Sequence, residues 1–232
     1  FIITIARNAN NISNYKNTHN LLDIKKFVMD IDLNLLKRLA RDEVIRHIET
    51  GHLEKDLIIE SSLINPLERI IGISQLKERG ISKIFKLNLI NSSKSKYLIY
   101  IISTDTESLK TVINHIKCDL KNDIYRNRLL LFYPGKNIIT DYLLETEGVI
   151  GEVTVEELVL NFIPLESDVL SMEYPLAFRQ LFVDRSFIPL SSVARALMNL
   201  QSIYGEIPSV YTIGNYSFKL VEMWRKTMHG SL

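Results

Sequence analysis

The sequence holds a single cysteine, Cys118, among 232 residues. One thiol cannot close a disulfide within the chain, and such thiol poverty fits a reducing, cytosolic compartment. Cys118 has no nearby histidine and no partner at metal-ligand spacing, so a buried or bystander thiol is expected rather than a nucleophile. Long apolar runs are also missing: none approaches the about 20 residues that a membrane-spanning helix needs. The opening "FIITIARNANN" has too short an apolar core, and no small-residue cleavage pattern, for a signal peptide. Its first residue is Phe rather than Met, so a longer reading frame is expected upstream. An excess of one charge is absent as well. Lys and Arg number 28 against 27 Asp and Glu, a net +1, which argues against binding nucleic acid through a broad basic face.

The motifs that carry chemistry are equally scarce. No Gly-x-Gly-x-x-Gly follows the first expected strand, so a dinucleotide fingerprint is lacking. "YPGK" (133–136) resembles a phosphate loop only superficially. A Walker loop needs several backbone amides around the phosphates and ends in Gly-Lys-Ser/Thr, whereas Lys136 is followed by Asn137. No Gly-x-Ser-x-Gly elbow is present. His19, His47, His52, His115 and His229 are scattered; His47 and His52 stand five apart across an expected helix end and are expected to share no face with a carboxylate at metal spacing. Asp105 stands where a receiver domain would carry its phosphoacceptor. That chemistry needs an acidic pair after the first strand to hold Mg²⁺, and only Glu60 lies there. The stretch "PLESDVLSMEYPLAF" (164–178) gathers Glu166, Asp168 and Glu173 between two prolines. A connector and a helix start explain these acids without acid–base chemistry. Trp224, with Phe218 and Tyr216, is expected to pack in a core rather than stack on bases. No catalytic residue, metal or cofactor is therefore assigned, and the chain is expected to work by its surface rather than as an enzyme.

What the sequence does hold is alternation. Residues 8–20 are dominated by Asn and carry no period, and residues 1–31 as a whole read as a disordered or biased extension. From Asp32, an expected N-cap, Leu36, Ala40, Val44 and Ile48 form one helical stripe, with Lys37, Arg38 and Asp42 outward and Gly51 as a stop. "DLIIE" (56–60) reads as a buried strand. A helix from Asn65 to Gly80 follows, with Pro66 at its first position and Glu68 reaching back to close a capping box. Strands are expected at 83–87, 97–102, 128–133 and 157–163. Helices are expected around Leu109, Val112, Ile113 and Ile116, and at 138–147. Five apolar strands separated by helical patterns imply an α/β fold with a parallel, doubly wound sheet. After Pro164 no strand is evident. Three helical segments are expected there, near 173–182, 191–204 and 215–228, as the helical start of a second domain. The second is marked by Val193, Leu197, Leu200 and Tyr204, and the third by Phe218, Val221 and Trp224.

Several long stretches, in order, carry a resemblance: "LKRLARDEVIRHIE", "KDLIIESSLINPLERI", "ISQLKERGISKIFKL", "ETEGVIGEVTVEEL", "PLESDVLSMEYPLAFRQLF", "ALMNLQSIYGEIPSVYTIG" and "EMWRK". From about Leu35 to Arg225 the chain resembles the SM family, the soluble chaperones of SNARE-driven membrane fusion. The resemblance implies residues 32–164 as a first domain with a five-stranded parallel sheet, and 165–232 as the start of a second. A third domain would be inserted within the second, with the helical arm that aligns SNAREs beyond residue 232. It further implies SNARE partners and an α-solenoid partner of the vacuolar sorting protein 16 type. Peripheral attachment to late endosome, lysosome or recycling endosome membranes would come through those partners. The alternative left open is a receiver-like or nucleotide-binding domain using Asp105 or Lys136.

Overall fold

Strands covered on both faces need continuous apolar runs instead of alternating ones. That requirement organises the larger part of the molecule. The computed structural model describes residues 2–4, 32–49, 54–165, 169–205 and 215–228. In chain order it contains β1 (Ile2–Thr4), α1 (Leu33–Ile48), β2 (Lys55–Ile59), α2 (Ile64–Ile70), α3 (Ile73–Glu78), β3 (Ile81–Lys86), β4 (Tyr97–Ser103) and α4 (Thr106–Lys121). These are followed by β5 (Asn127–Tyr133), α5 (Ile138–Thr146), β6 (Thr154–Glu157), β7 (Ile163–Pro164), β8 (Val169–Ser171), α6 (Ile188–Tyr204) and α7 (Asn215–Met228). The described residues form two compact units. One comprises Leu39–Leu160 with Tyr174–Leu176; the other takes the described parts of Phe1–Arg38, Asn161–Glu173 and Ala177–Leu232.

The first unit is built on a five-stranded sheet of order β3-β2-β4-β5-β6. Every pairing in it is parallel. β2 is buried along its whole length, as are Leu98–Ser103 of β4 and Leu130–Tyr133 of β5. On one face, Ile58, Tyr100, Ile102, Leu130 and Phe132 meet Leu109, Val112, Ile113 and Ile116 of α4. Those four helix residues fall at i, i+3, i+4 and i+7, the spacing that turns one stripe inward. The intervening strand residues Leu57, Ile59, Ile99, Ile101 and Leu131 are buried as well. Full burial of each such side chain contributes about 1.5–3 kcal/mol before its ordering entropy is charged. The edge strand β3 is exposed over Ser82–Ile84 and carries Lys83 and Lys86, charges that discourage pairing with another chain.

The helices follow their sequence signals in most places. In α1, Leu36, Ala40, Val44 and Ile48 are buried while Lys37, Arg38 and Asp42 are exposed. The Asp32 carboxylate caps it, accepting from the Asn34 and Leu35 amides at 2.9 and 3.2 Å. Gly51, its expected stop, lies outside the described residues, as does most of the extension before Asp32. Residues 2–4 of that extension are a strand.

Six expectations are corrected. The long helix from Asn65 is two short ones, because Ile71 is extended (φ −139°, ψ 119°) and Gly72 remains so (φ −67°, ψ 154°). Asn65 is not its cap; Leu63 holds that position, without a side-chain bond. The fifth strand is Thr154–Glu157 rather than 157–163, and Asn161, in the left-handed region at φ 53°, interrupts the apolar run that suggested otherwise. Pro164 does not end the strands. In the second unit β1, β8 and β7 form an antiparallel sheet, with Leu170 opposite both Ile3 and Pro164. That unit also holds the start of α1, a π-helical turn at Arg179–Val183, which replaces most of the helix expected at 173–182, and the pair α6 and α7. Val193, Leu197 and Leu200 are buried as expected, and α6 stops at Gly205, whose φ of 89° suits glycine. In α7, Trp224 is buried but Phe218 is exposed, contrary to the stripe drawn through both.

Candidate functional site

Open α/β sheets bind ligands beyond the carboxyl ends of their strands, where the strand order reverses. Here that point lies between β2 and β4, and the sequence places Glu60 and Asp105 there. The structure brings both to Ser103 and commits them to holding the backbone. Glu60 Oε2 accepts from the Ser103 amide at 2.8 Å and from its hydroxyl at 2.7 Å, and Glu60 Oε1 accepts from Ser62 Oγ. Ser103 Oγ in turn accepts from the Asp105 amide at 3.3 Å. The Asp105 carboxylate caps α4: its Oδ2 accepts from the Glu107 and Ser108 amides, each at 3.1 Å. A phosphoacceptor has to offer a carboxylate oxygen to Mg²⁺ and phosphate, whereas this one holds a helix end.

The turn at Tyr133–Asn137 is likewise closed on itself. The Lys136 amide donates to Glu157 Oε1 at 3.3 Å, and its ammonium lies 3.2 Å from Asp141. Asn137 and Thr140 form a capping box, with Thr140 N donating to Asn137 Oδ1 at 2.9 Å and Asn137 N to Thr140 Oγ1 at 3.2 Å. Three amides of this turn, those of Lys136, Asn137 and Thr140, thus already have partners in the protein.

Of the connector acids, Glu166 and Asp168 lie outside the described residues. Glu173 is not at a helix start: it has φ 49°, and its amide donates to Ser171 Oγ at 3.0 Å. Cys118 is exposed on α4. Among the described residues no group of three or more His, Cys, Asp or Glu side chains is placed to hold a metal ion. His19, His52 and His229 lie outside those residues.

Two polar clusters, the first buried and the second part-buried, were not foreseen. In the first, the Arg128 guanidinium donates to Asp119 Oδ2 at 2.8 Å and Arg126 Nε lies 3.2 Å from the same oxygen. His115 Nε2 is 3.9 Å from the other carboxylate oxygen, and His115 Nδ1 is 2.9 Å from the Tyr100 hydroxyl. Burial pushes the His115 pKa down, Arg126 and Arg128 push the same way, and Asp119 opposes them. Tyr100 is held neutral, its pKa raised first by burial. The cluster ties α4 to β4 and β5. In the second, His47 of α1 places Nδ1 2.7 Å from Glu156 of β6 and Nε2 3.2 Å from Glu43. Glu43, four residues before His47 on α1, corrects the expectation that no carboxylate shares that histidine's face; its spacing, like that of His115 with Asp119, stands in the sequence. The distant partners of the two histidines were not legible there.

Comparisons with known proteins follow the same direction. The Sec1 family model matches residues 55–231. Vacuolar protein sorting-associated protein 33B of Rattus norvegicus is 34% identical over 196 residues, covering 84% of this chain and 32% of that protein. Among solved structures, Sly1p in complex with an N-terminal peptide of Sed5p superposes with a TM-score of 0.61 at 16% identity, over 84% of this chain and 38% of that one. The SM protein Vps45 in complex with the Qa SNARE Tlg2 gives 0.59 at 16% identity, over 84% and 35%. The chain spans about a third of the length of the curated relatives it matches.

Proposed function

Because the chain belongs to the Sec1 family, we propose that it forms part of an SM protein of the vacuolar sorting type, a regulator of SNARE-mediated vesicle docking and fusion in the endosomal and lysosomal pathway. The observation that carries this reading is the family match across both compact units, from residue 55 to 231. It is supported by the spent condition of each candidate reacting group: Glu60 and Asp105 hold backbone amides, and Lys136 sits beside Asp141. On this reading residues 32–164 are the first domain, residues 165–232 open the second, and residues 1–31 are an extension. The molecule acts by binding. It holds SNARE helices in register and so lowers the entropic cost of nucleating their bundle. An α-solenoid protein of the vacuolar sorting protein 16 type is its standing partner and brings it to late endosome, lysosome or recycling endosome membranes. No helix among the described residues is long and apolar enough to cross a membrane.

The test is a pull-down with the protein in its full natural length, using endosomal SNARE helices and the solenoid protein as separate baits. Retention of both is expected. Loss of both, with Mg²⁺-dependent labelling of Asp105 by acetyl phosphate or ATP binding that depends on Lys136, would replace this reading with a receiver-like or nucleotide-binding one.

A further inference from the structure

We propose that His115, Asp119 and Arg126 form a proton-operated latch on the segment between β3 and β4, shut while the imidazole is neutral and released when it takes up a proton. The groups involved lie within the first unit, and His115, Asp119, Arg128, Tyr100, Asp56 and Ser93 are buried. The latch needs neither the end of the chain nor the fusion reading. Parallel strands are usually joined through an α-helix, which bonds its own backbone. The crossing from β3 to β4, which passes β2, has none. It is a run of 3₁₀ turns at Leu87–Ser92, kinked at Leu89, and then an irregular stretch to Lys96. Groups from elsewhere hold it instead. Ser93 Oγ donates to Asp56 Oδ2 at 2.6 Å, and Arg126 Nη1 donates to the Ser93 and Ser95 carbonyls at 3.0 and 3.1 Å. The Asn127 amide donates to the Lys96 carbonyl at 2.9 Å.

The tie between Arg126 and Asp119 is charge alone. Arg126 Nε lies 3.2 Å from Asp119 Oδ2 without a hydrogen bond, whereas Arg128 bonds the same oxygen at 2.8 Å. Two guanidinium groups thus share one carboxylate in the interior. The other Asp119 oxygen faces His115 Nε2 at 3.9 Å, and His115 Nδ1 stands 2.9 Å from the Tyr100 hydroxyl. The ring is therefore surrounded by Tyr100 of β4, Asp119 of α4, and Arg126 and Arg128 from the turn before β5 and β5 itself; Lys94 and Lys96 of the segment are exposed. Burial, with the two arginines, keeps the imidazole neutral against the pull of Asp119. Neutral, it accepts from Tyr100 and adds no charge. A proton on Nδ1 displaces the Tyr100 hydrogen and sets a third cation beside a single carboxylate. Asp119 is one turn away on the same helix, so a small rotation brings its free oxygen to the imidazolium. That withdraws it from Arg126, whose side chain is 10% exposed against 1% for Arg128. Arg126, with the looser hold and the shorter way to water, leaves and gives up the Ser93 and Ser95 carbonyls.

The experiment is hydrogen exchange read by mass spectrometry on the full-length natural protein. Protection factors are compared, so that the pH dependence of intrinsic exchange is divided out. Peptides covering residues 87–97 are expected to lose up to about tenfold in protection per pH unit below about 6.5, the ordinary histidine value. Peptides covering residues 98–103 of β4 and 128–133 of β5 should keep theirs. In His115→Gln the segment should stay protected down to about pH 5, since no proton enters there. Arg126→Gln should open it already at neutral pH and leave no pH dependence. Thermal unfolding shows whether each variant is folded; if His115→Gln is not, the natural protein and Arg126→Gln carry the test by themselves. Equal loss of protection in the strands would make His115 a weak point of the whole unit and overturn the latch. So would a pH dependence that survives in His115→Gln, or segment protection that stays flat as the natural protein is acidified.

Discussion

The two compact units solve the problem of apolar surface in opposite ways. The five-stranded unit buries the central strands of its sheet on both faces and sets interior charges against one another, as Asp119 does with Arg128, although Arg126 Nε, Arg128 Nε and Thr104 Oγ1 find no hydrogen-bond partner. The other unit has a three-stranded antiparallel sheet and two main helices, and it leaves several phenylalanines in contact with solvent. The difference separates residues that hold the fold from residues that this chain leaves exposed. In the first unit even the carboxylates best placed for chemistry are structural. In the second the conspicuous residues contribute little to their own unit's burial.

Substitutions should sharpen that contrast. The largest effect is expected from Asp119→Ala, which leaves the buried Arg128 and the nearly buried Arg126 without their counter-charge. A loss of about 3–5 kcal/mol in urea unfolding is predicted, since breaking one side of a buried ion pair strands the other. Asp105→Ala should cost about 1 kcal/mol, the usual value of a helix cap, measured in the same way. Asp105→Asn keeps the capping oxygen and should cost much less; a receiver aspartate would lose its function in either variant.

Smaller still, and confined to acid, is the effect of His115. Its folded pKa lies below the ordinary 6.5 because burial disfavours the charged ring. The unfolded chain therefore takes up this proton first as pH falls. The contribution is complete above about pH 6.5 and is lost as pH drops through that value towards the folded pKa. Subtracting the pH–stability curve of His115→Gln from that of the natural protein should show a decline below pH 6.5 and a flat line above it. The smallest effect is expected at Phe178→Ser, within about 0.5 kcal/mol, as for surface positions elsewhere. A large loss there would mean that the exposed face belongs to the core of its unit, and the contrast between the units would fail.

How much of this was legible in the sequence depended on the range of the interactions. β2, β4 and β5 were readable because "DLIIE", "YLIYII" and "RLLLFY" are unbroken apolar runs of strand length. α1 and α4 announced themselves through four-position stripes, and α1 also through its aspartate cap. β6 was misplaced because "ELVLNFI" is more apolar than "TVEE", yet the shorter, half-exposed segment pairs with β5 at the sheet edge. The greasier one passes out of the sheet through Asn161, whose left-handed backbone and bond from Asn199 at 2.9 Å no local pattern announces. β8 has three residues, too few for any period to show. At the candidate site, the position of Asp105 after the third of the predicted strands was readable and its duty as a cap was not, since that depends on where two amides point. The SM resemblance was legible because it rests on long stretches in sequence order and needs no geometry.

The central claim is that the molecule works by holding other proteins. Its most direct test is isothermal titration of the full-length protein with assembled endosomal SNARE helices, run beside titrations with ATP, GTP and Mg²⁺. Saturable heat with the helices and none with the nucleotides or the metal is predicted. Heat with a nucleotide or Mg²⁺ that vanishes in Asp105→Ala or Lys136→Ala, with none from the helices, would contradict it.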